Sequence, residues 1–247
     1  ALGSNTTGGA NTAMGANALE QNTTGCYNFA VGYDAARCNI AGDFNTAFGY
    51  RSLFATTSGS YNVAIGRQAL EDNPTGYDNN AIGPYALQKN TTGSYNNAIG
   101  EQALHCNTEG VHNNAIGESA LRANTTGIGS QAIGKNALYS NTEGEYNQAI
   151  GTYAMYYNTT GKRNNAIGYE ALGFNTTGCY NNAIGYLALN KNTVGDNNTA
   201  IGEKALYTSL SGDHNFAAGR CALYSNWGGC DNAAIGYQAL RENTTGQ

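Results

Sequence analysis

A β-solenoid is the fold this sequence predicts, and three observations predict it. One glycine returns every 17 residues, from Gly15 through Gly32 and Gly49 to Gly236, fourteen times without insertion or deletion. Self-similarity at a fixed short period marks a solenoid, in which each unit buries its apolar face only against its neighbours. Bulky apolar residues are scarce while Gly supplies 34 of 247 residues, which suits a thin core in each coil better than one large centre. The period is also short. Strands stack about 4.8 Å apart whereas packed helices need roughly 8–10 Å, so a helix in every coil would force strong curvature. The expected architecture is all-β, a parallel β-roll of about fourteen coils. Residues 1–247 read as a single array whose units open at Asn11, Asn28, Asn45 and every seventeenth residue after them.

Counting slots from that Asn, slots 1 to 4 (Asn-x-Ala-Ile) read as a short strand ended by Gly at slot 5. Slot 3 is Ala in every copy, from Ala13 to Ala234, and slot 4 is apolar throughout, mostly Ile. Slot 8 is Ala except at Ser52, and slot 9 is Leu except at Ala36 and Met155. Fixed slots face something with no spare volume, so the expected core is the slot-4 and slot-9 pairs: Ile65 with Leu70, Ile99 with Leu104, Ile116 with Leu121, and Ile167 with Leu172. Slots 6 to 11 are ambiguous, because adjacent Ala and Leu do not alternate as a half-buried strand should. Coil spacing favours extended or turn-like backbone there.

Slots 12 to 15 (Asn-Thr-Thr-Gly) read as a turn, since Asn tolerates left-handed geometry and Gly supplies positive φ. Asn recurs at slot 1 (Ser130 excepted) and at slot 12 (Thr56 and Ser209 excepted). Amides stacked at strand spacing can bond along the axis. Slots 6, 7, 10, 11 and 16 vary freely and face solvent or a partner. Tyr recurs at slot 17 (Tyr27, Tyr61, Tyr95, Tyr146, Tyr180) and slot 6 (Tyr33, Tyr50, Tyr169, Tyr186, Tyr237). Stacked rings add stiffness, and their faces also suit sugars. Leu210 and Trp227 replace the turn Thr in consecutive units, an apolar spot that reads either as a contact with another chain or as drift.

Two local disulfides are candidates among six cysteines, Cys26 with Cys38 and Cys221 with Cys230, and would imply an oxidising setting. Small thiols in tolerant slots are the alternative. The Asn-x-Thr acceptor pattern at Asn5, Asn22, Asn90, Asn124, Asn158, Asn175 and Asn243 is explained by turn chemistry alone.

At Asn-x-Ala-Ile-Gly-x-x-Ala, as in Asn164 to Ala171, the chain resembles the head repeats of trimeric autotransporter adhesins (the YadA-like head). That resemblance implies a parallel β-roll in which three chains associate. The Leu-x-x-Asn-Thr-Thr-Gly part makes this coil longer than the adhesin coil. Similar Asn-Thr-Thr-Gly-rich arrays occur in phage tail-fibre-like and other surface proteins.

Nothing in the sequence converges as catalytic acids, bases or nucleophiles do, so no enzyme activity is expected. His105, Cys106 and His112 share one unit but occupy variable surface slots, and no set has metal-ligand spacing. No cofactor is expected either. The Gly-rich turns lack a Walker lysine. The net charge of −5 is spread out and leaves no basic nucleic-acid footprint; no apolar run approaches a membrane span. The expected function is a structural, non-catalytic fibre or adhesin segment, extracellular, on a cell surface or on a virion, forming a rigid self-associating rod. The alternative is a soluble module for ice or surface glycans. The expected partner is the chain itself, as a homotrimer or as a filament. The chain starts at slot 8 and stops with Gln247 at slot 16, which leaves the register nearly continuous for end-to-end stacking.

Overall fold

The computed structural model describes residues 1–246, so the expectation that falls on Gln247 lies outside the described residues. The chain is all-β and forms a parallel β-solenoid with about 17 residues per turn. It divides into two compact units, Ala1–Thr126 and Gly127–Gln247. Unit 1 carries strands β1 (Thr12–Met14), β2 (Phe29–Val31), β3 (Thr46–Phe48), β4 (Val63–Ile65), β5 (Asn80–Ile82), β6 (Asn97–Ile99) and β7 (Asn114–Ile116). Unit 2 carries β8 (Gln131–Ile133), β9 (Gln148–Ile150), β10 (Asn165–Ile167), β11 (Asn182–Ile184), β12 (Thr199–Ile201), β13 (Phe216–Ala218) and β14 (Ala233–Ile235). Within each unit successive strands pair in parallel and in identical register, Ala81 on Ala98 and Ala166 on Ala183. Equivalent slots therefore stack.

Each strand holds only slots 2 to 4, and side chains alternate faces along a strand. Slot 3 takes the inward direction, and its Ala is fully buried from Ala30 to Ala217. Slots 2 and 4 must then point out. This corrects the expectation for slot 4: Ile65 is 38% exposed and Ile167 37%, while Ile99 and Ile116 are half-buried. The inward partners are slot 8 and slot 9 instead. Leu70, Leu104, Leu121 and Leu172 are completely buried, as expected of them, alongside the slot-8 alanines.

How two adjacent side chains both enter the interior is a matter of backbone. Slots 7, 9 and 17 are left-handed even with ordinary residues, as at Asn17 (φ 57), Leu19 (φ 49) and Tyr27 (φ 57). The left-handed residue at slot 9 breaks strand alternation, so Leu follows Ala into the core. That conformation costs about 1–2 kcal/mol for a residue with a Cβ. Burying a Leu side chain, at roughly 1.5–3 kcal/mol, offsets it. No helix forms in slots 6 to 11. Their amides bond between coils, Leu19 N–H to Ala35 O at 3.0 Å and Gln21 N–H to Arg37 O at 3.0 Å.

Slot 5 turns the chain with a conformation that only glycine adopts readily. At Gly151 φ is 135°, and a Cβ there would stand 2.5 Å from the carbonyl oxygen of Gly168 in the next coil. Slot 15 is closed differently: a Cβ at Gly161 would meet Asn158 Oδ1 and Gly178 O, each at 2.5 Å.

Two buried amide ladders hold the coils together. At slot 12, Asn90 Nδ2 donates to Asn73 Oδ1 in the preceding coil (2.7 Å) and to Gly93 O in its own turn (2.8 Å). At slot 1, Asn164 Nδ2 reaches Gly178 O at 2.7 Å, while Asn147 Oδ1 accepts the Asn164 backbone N–H at 3.0 Å. A buried amide is favourable only when both its ends are bonded. Strict Asn at these slots follows.

Candidate functional site

The inward slots are occupied by structure, so function has to reside on the outward ones. Slots 6 and 7 follow the Gly turn and slots 10 and 11 precede the Asn turn. Their side chains project from bends and stack coil upon coil.

In unit 1 the slot-17 rings of Tyr27, Phe44 and Tyr61 stack at 4.8 and 5.0 Å, within 6° of parallel. Unit 2 gathers aromatics from four slots into one face. Tyr139 stacks on Tyr156 at slot 10 (5.0 Å, 12°), and Tyr169 on Tyr186 at slot 6 (5.6 Å, 15°). Tyr153 stands across Tyr156 at 64°, and Tyr157 stands across it at 83° with centroids 4.7 Å apart. Tyr157 then meets Phe174 at 5.1 Å. The ammonium of Lys191 lies 3.7 Å from the Phe174 ring centre, a cation–π contact.

Among these rings lies a cleft of about 300 Å³, lined by Tyr153, Tyr156, Tyr157, Glu170, Gly173 and Phe174. Its origin is legible in slot 10. The row runs Tyr139, Tyr156, then Gly173 and Asn190, before resuming at Tyr207 and Tyr224, which stack at 5.2 Å. Gly173 supplies no third ring, and the Asn190 amide packs against it, with Nδ2 2.9 Å from where a Cβ would stand. Asn190 is buried, and its Nδ2 donates to the Glu170 backbone carbonyl (2.8 Å). A Tyr169 hydrogen bond reaches the Glu170 carboxylate and raises the Tyr169 pKa above its usual value. Burial, followed by the neighbouring tyrosines, raises that of Tyr156.

The other expected site residues are placed as follows. Leu210 and Trp227 are 46% and 59% exposed on consecutive coils of unit 2. Neither expected disulfide forms: all six cysteines are free thiols. Cys26 and Cys230 belong to a slot-16 row that sequence reading missed, in which a small acceptor receives the slot-16 N–H of the preceding coil. Cys26 Sγ accepts from Gly9 and Cys230 Sγ from Asp213, each at 3.3 Å, and Asp196 Oδ1 accepts from Cys179 at 2.6 Å. Cys38 and Cys221 sit in other slots of the coil, half-buried. The signal was present in the sequence as Cys, Asp and Ser recurring at slot 16.

His105 Nδ1 lies 3.3 Å from Cys106 Sγ, and among the described residues no group of three potential ligands stands together. The glycosylation-pattern residues Asn22, Asn90, Asn124, Asn158 and Asn175 are fully buried, their amides committed to the ladder. The turn threonines at slot 13 are structural too. Thr23 Oγ1 donates to Ile40 O (3.0 Å) and Thr159 Oγ1 to Thr176 O (2.9 Å), beside backbone N–H groups aimed at the same oxygens.

The fold and the exposed faces define a β-solenoid repeat protein. No protein-family model, curated protein or solved structure matches the chain.

Proposed function

We propose that this chain is a non-catalytic structural scaffold that associates side by side with further copies of itself. The observation that carries the reading is the slot-4 row. In unit 2 it runs Ile133, Ile150, Ile167, Ile184 and Ile201, and in unit 1 Ile65, Ile82, Ile99 and Ile116, each partly or largely exposed and standing one coil apart. Beside it, slot 2 carries only uncharged residues, with Asn80, Asn97 and Asn114 bonded into a surface ladder at 2.9 and 2.7 Å. A contiguous exposed apolar strip rimmed by polar residues marks an interaction surface. The occupant that fits is a second copy, because only a surface with the same pitch can seat every Ile against an equivalent gap. An uncharged strip with regular, committed amides also offers nothing to activate a substrate. The resemblance of the Asn-x-Ala-Ile-Gly core to adhesin head repeats supports an extracellular, cell-surface or virion setting.

Sedimentation over a range of concentrations, with Ile150→Lys/Ile167→Lys as the control, tests this. Wild type should associate as concentration rises, and the double variant should stay monomeric with its melting temperature unchanged. Wild type that remains a sharp monomer at high concentration ends the proposal.

A further inference from the structure

The interrupted ring row in unit 2 has the dimensions and chemistry of a ligand site. Tyr139 and Tyr156 stack 5.0 Å apart and set a rung spacing. One face of Tyr156 is covered by Tyr139; the other looks along the row to Gly173, where the rung has no ring. Tyr153 and Tyr157, standing 64° and 83° across Tyr156, wall this space, and Glu170 and Phe174 complete it. A flat ring inserted here would continue the stack.

The polar groups decide which ring. An aromatic hydrocarbon would cover the Tyr156 face but strip water from the Glu170 carboxylate and leave it only the Tyr169 hydroxyl as a donor, which is costly. An alkylammonium ion would suit the carboxylate, but the Lys191 ammonium already sits on Phe174 at 3.7 Å and repels a second cation. A pyranose meets both demands. Its C–H face lies on an aromatic ring, and its hydroxyl edge donates to a carboxylate without bringing a second positive charge. A second, more open depression lies beyond the Tyr157–Phe174 pair, lined by Ser140, Thr159, Thr176 and Thr193. The surface therefore continues past one ring.

We propose that the gap at Gly173 between Tyr156, Tyr157 and Phe174 is a binding site for a neutral saccharide, one pyranose stacking on Tyr156 with its hydroxyls on Glu170. The site uses slots 7, 10 and 11 and stands apart from the slot-4 strip, so it does not depend on self-association.

Cellotriose, maltotriose and chitotriose, titrated by saturation-transfer NMR and calorimetry on the full chain, test it. At least one should bind with about millimolar Kd, the range for a shallow single-ring site. Tyr156→Ala should weaken that binding at least about tenfold. Gly173→Tyr, made together with Asn190→Ala because its Cβ would stand 2.9 Å from the Asn190 amide, should abolish it by filling the rung, while Asn190→Ala alone should still bind. Slot 10 accepts Tyr in four other coils of unit 2, and a melting curve matching that of Asn190→Ala verifies that the double variant folds. Tetramethylammonium should not compete. The proposal is overturned if none of the three sugars binds at tens of millimolar, if the double variant binds as wild type does, or if tetramethylammonium displaces the sugar. Should Tyr156→Ala fail to fold, the double variant and Glu170→Gln decide, the latter with an expected loss of about tenfold.

Discussion

The buried amide ladder of unit 1 breaks between Asn39 and Thr56. Asn39 Oδ1 has no hydrogen-bond partner among the described residues, and neither has the Thr56 hydroxyl. One coil earlier, Asn22 Oδ1 accepts from Asn39 Nδ2 at 2.7 Å. Unit 2 repeats the fault: Asn192 Oδ1 and Ser209 Oγ are both unpaired where Ser209 replaces Asn. The slot-12 row thus reveals, by its two exceptions, what each Asn contributes.

Thr56→Asn should restore the donor to Asn39 and raise stability by about 1–2 kcal/mol, the cost of an unsatisfied buried acceptor. Ser209→Asn should do the same in unit 2. The two sites share no partner, so their effects should add. Urea midpoints of the single and double variants check this, with Asn90→Ala as the destabilising control.

Leu104→Ala should cost about 2–5 kcal/mol by opening a cavity in a fully buried position. Ile65→Thr should cost less than about 1 kcal/mol in the monomer, since that side chain is substantially exposed. Equal losses in denaturant unfolding would show that slot 4 points inward after all.

Backbone handedness gives opposite signs at two slots. Lys204 at slot 7 has φ 54, and Lys204→Gly should stabilise by about 0.5–1 kcal/mol, the left-handed strain relieved less the extra entropy of Gly. Gly151→Ala should instead cost more than about 3 kcal/mol, because its Cβ would strike the next coil. Thermal melts of both variants are the measurement.

Acid should weaken unit 1 through His105. Burial lowers its pKa, with the charges of Arg122 and Lys89 adding to the effect. The folded value lies below the unfolded value of roughly 6.5, so the unfolded chain takes up the proton first. The contribution is fully present above about pH 6.5 and is lost as pH falls through the folded value. His105→Gln should remove that part of the decline. A stability–pH profile unchanged by the substitution would refute the assignment.

Six thiols should react with Ellman's reagent under non-reducing, denaturing conditions, since no cysteine is paired. In the folded protein Cys38 should react slowly, its pKa raised chiefly by burial. Fewer than six would revive a disulfide.

Much was determined by the sequence by itself. The strict period of 17 imposed the solenoid, because equal units at equal spacing can bury their faces only by stacking. Fixed Ala and Leu at slots 8 and 9, and fixed Asn at slots 1 and 12, marked the interior. The aromatic gap at Gly173 was written in slot 10 as well, but it became a cleft only once coils stacked in register and placed Tyr153, Tyr157, Glu170 and Phe174 around it. The direction of slot 4 was decided by tertiary structure. Apolar and nearly invariant, Ile99 looked like core, yet a three-residue strand has one inward position, and the narrow coil reserved it for Ala98. The thiols went the same way: residues close in sequence at Cys26 and Cys38 fall on different slots of the coil. There Cys26 meets the Gly9 amide of a neighbouring coil, and the neighbour set by stacking prevails over the neighbour along the chain.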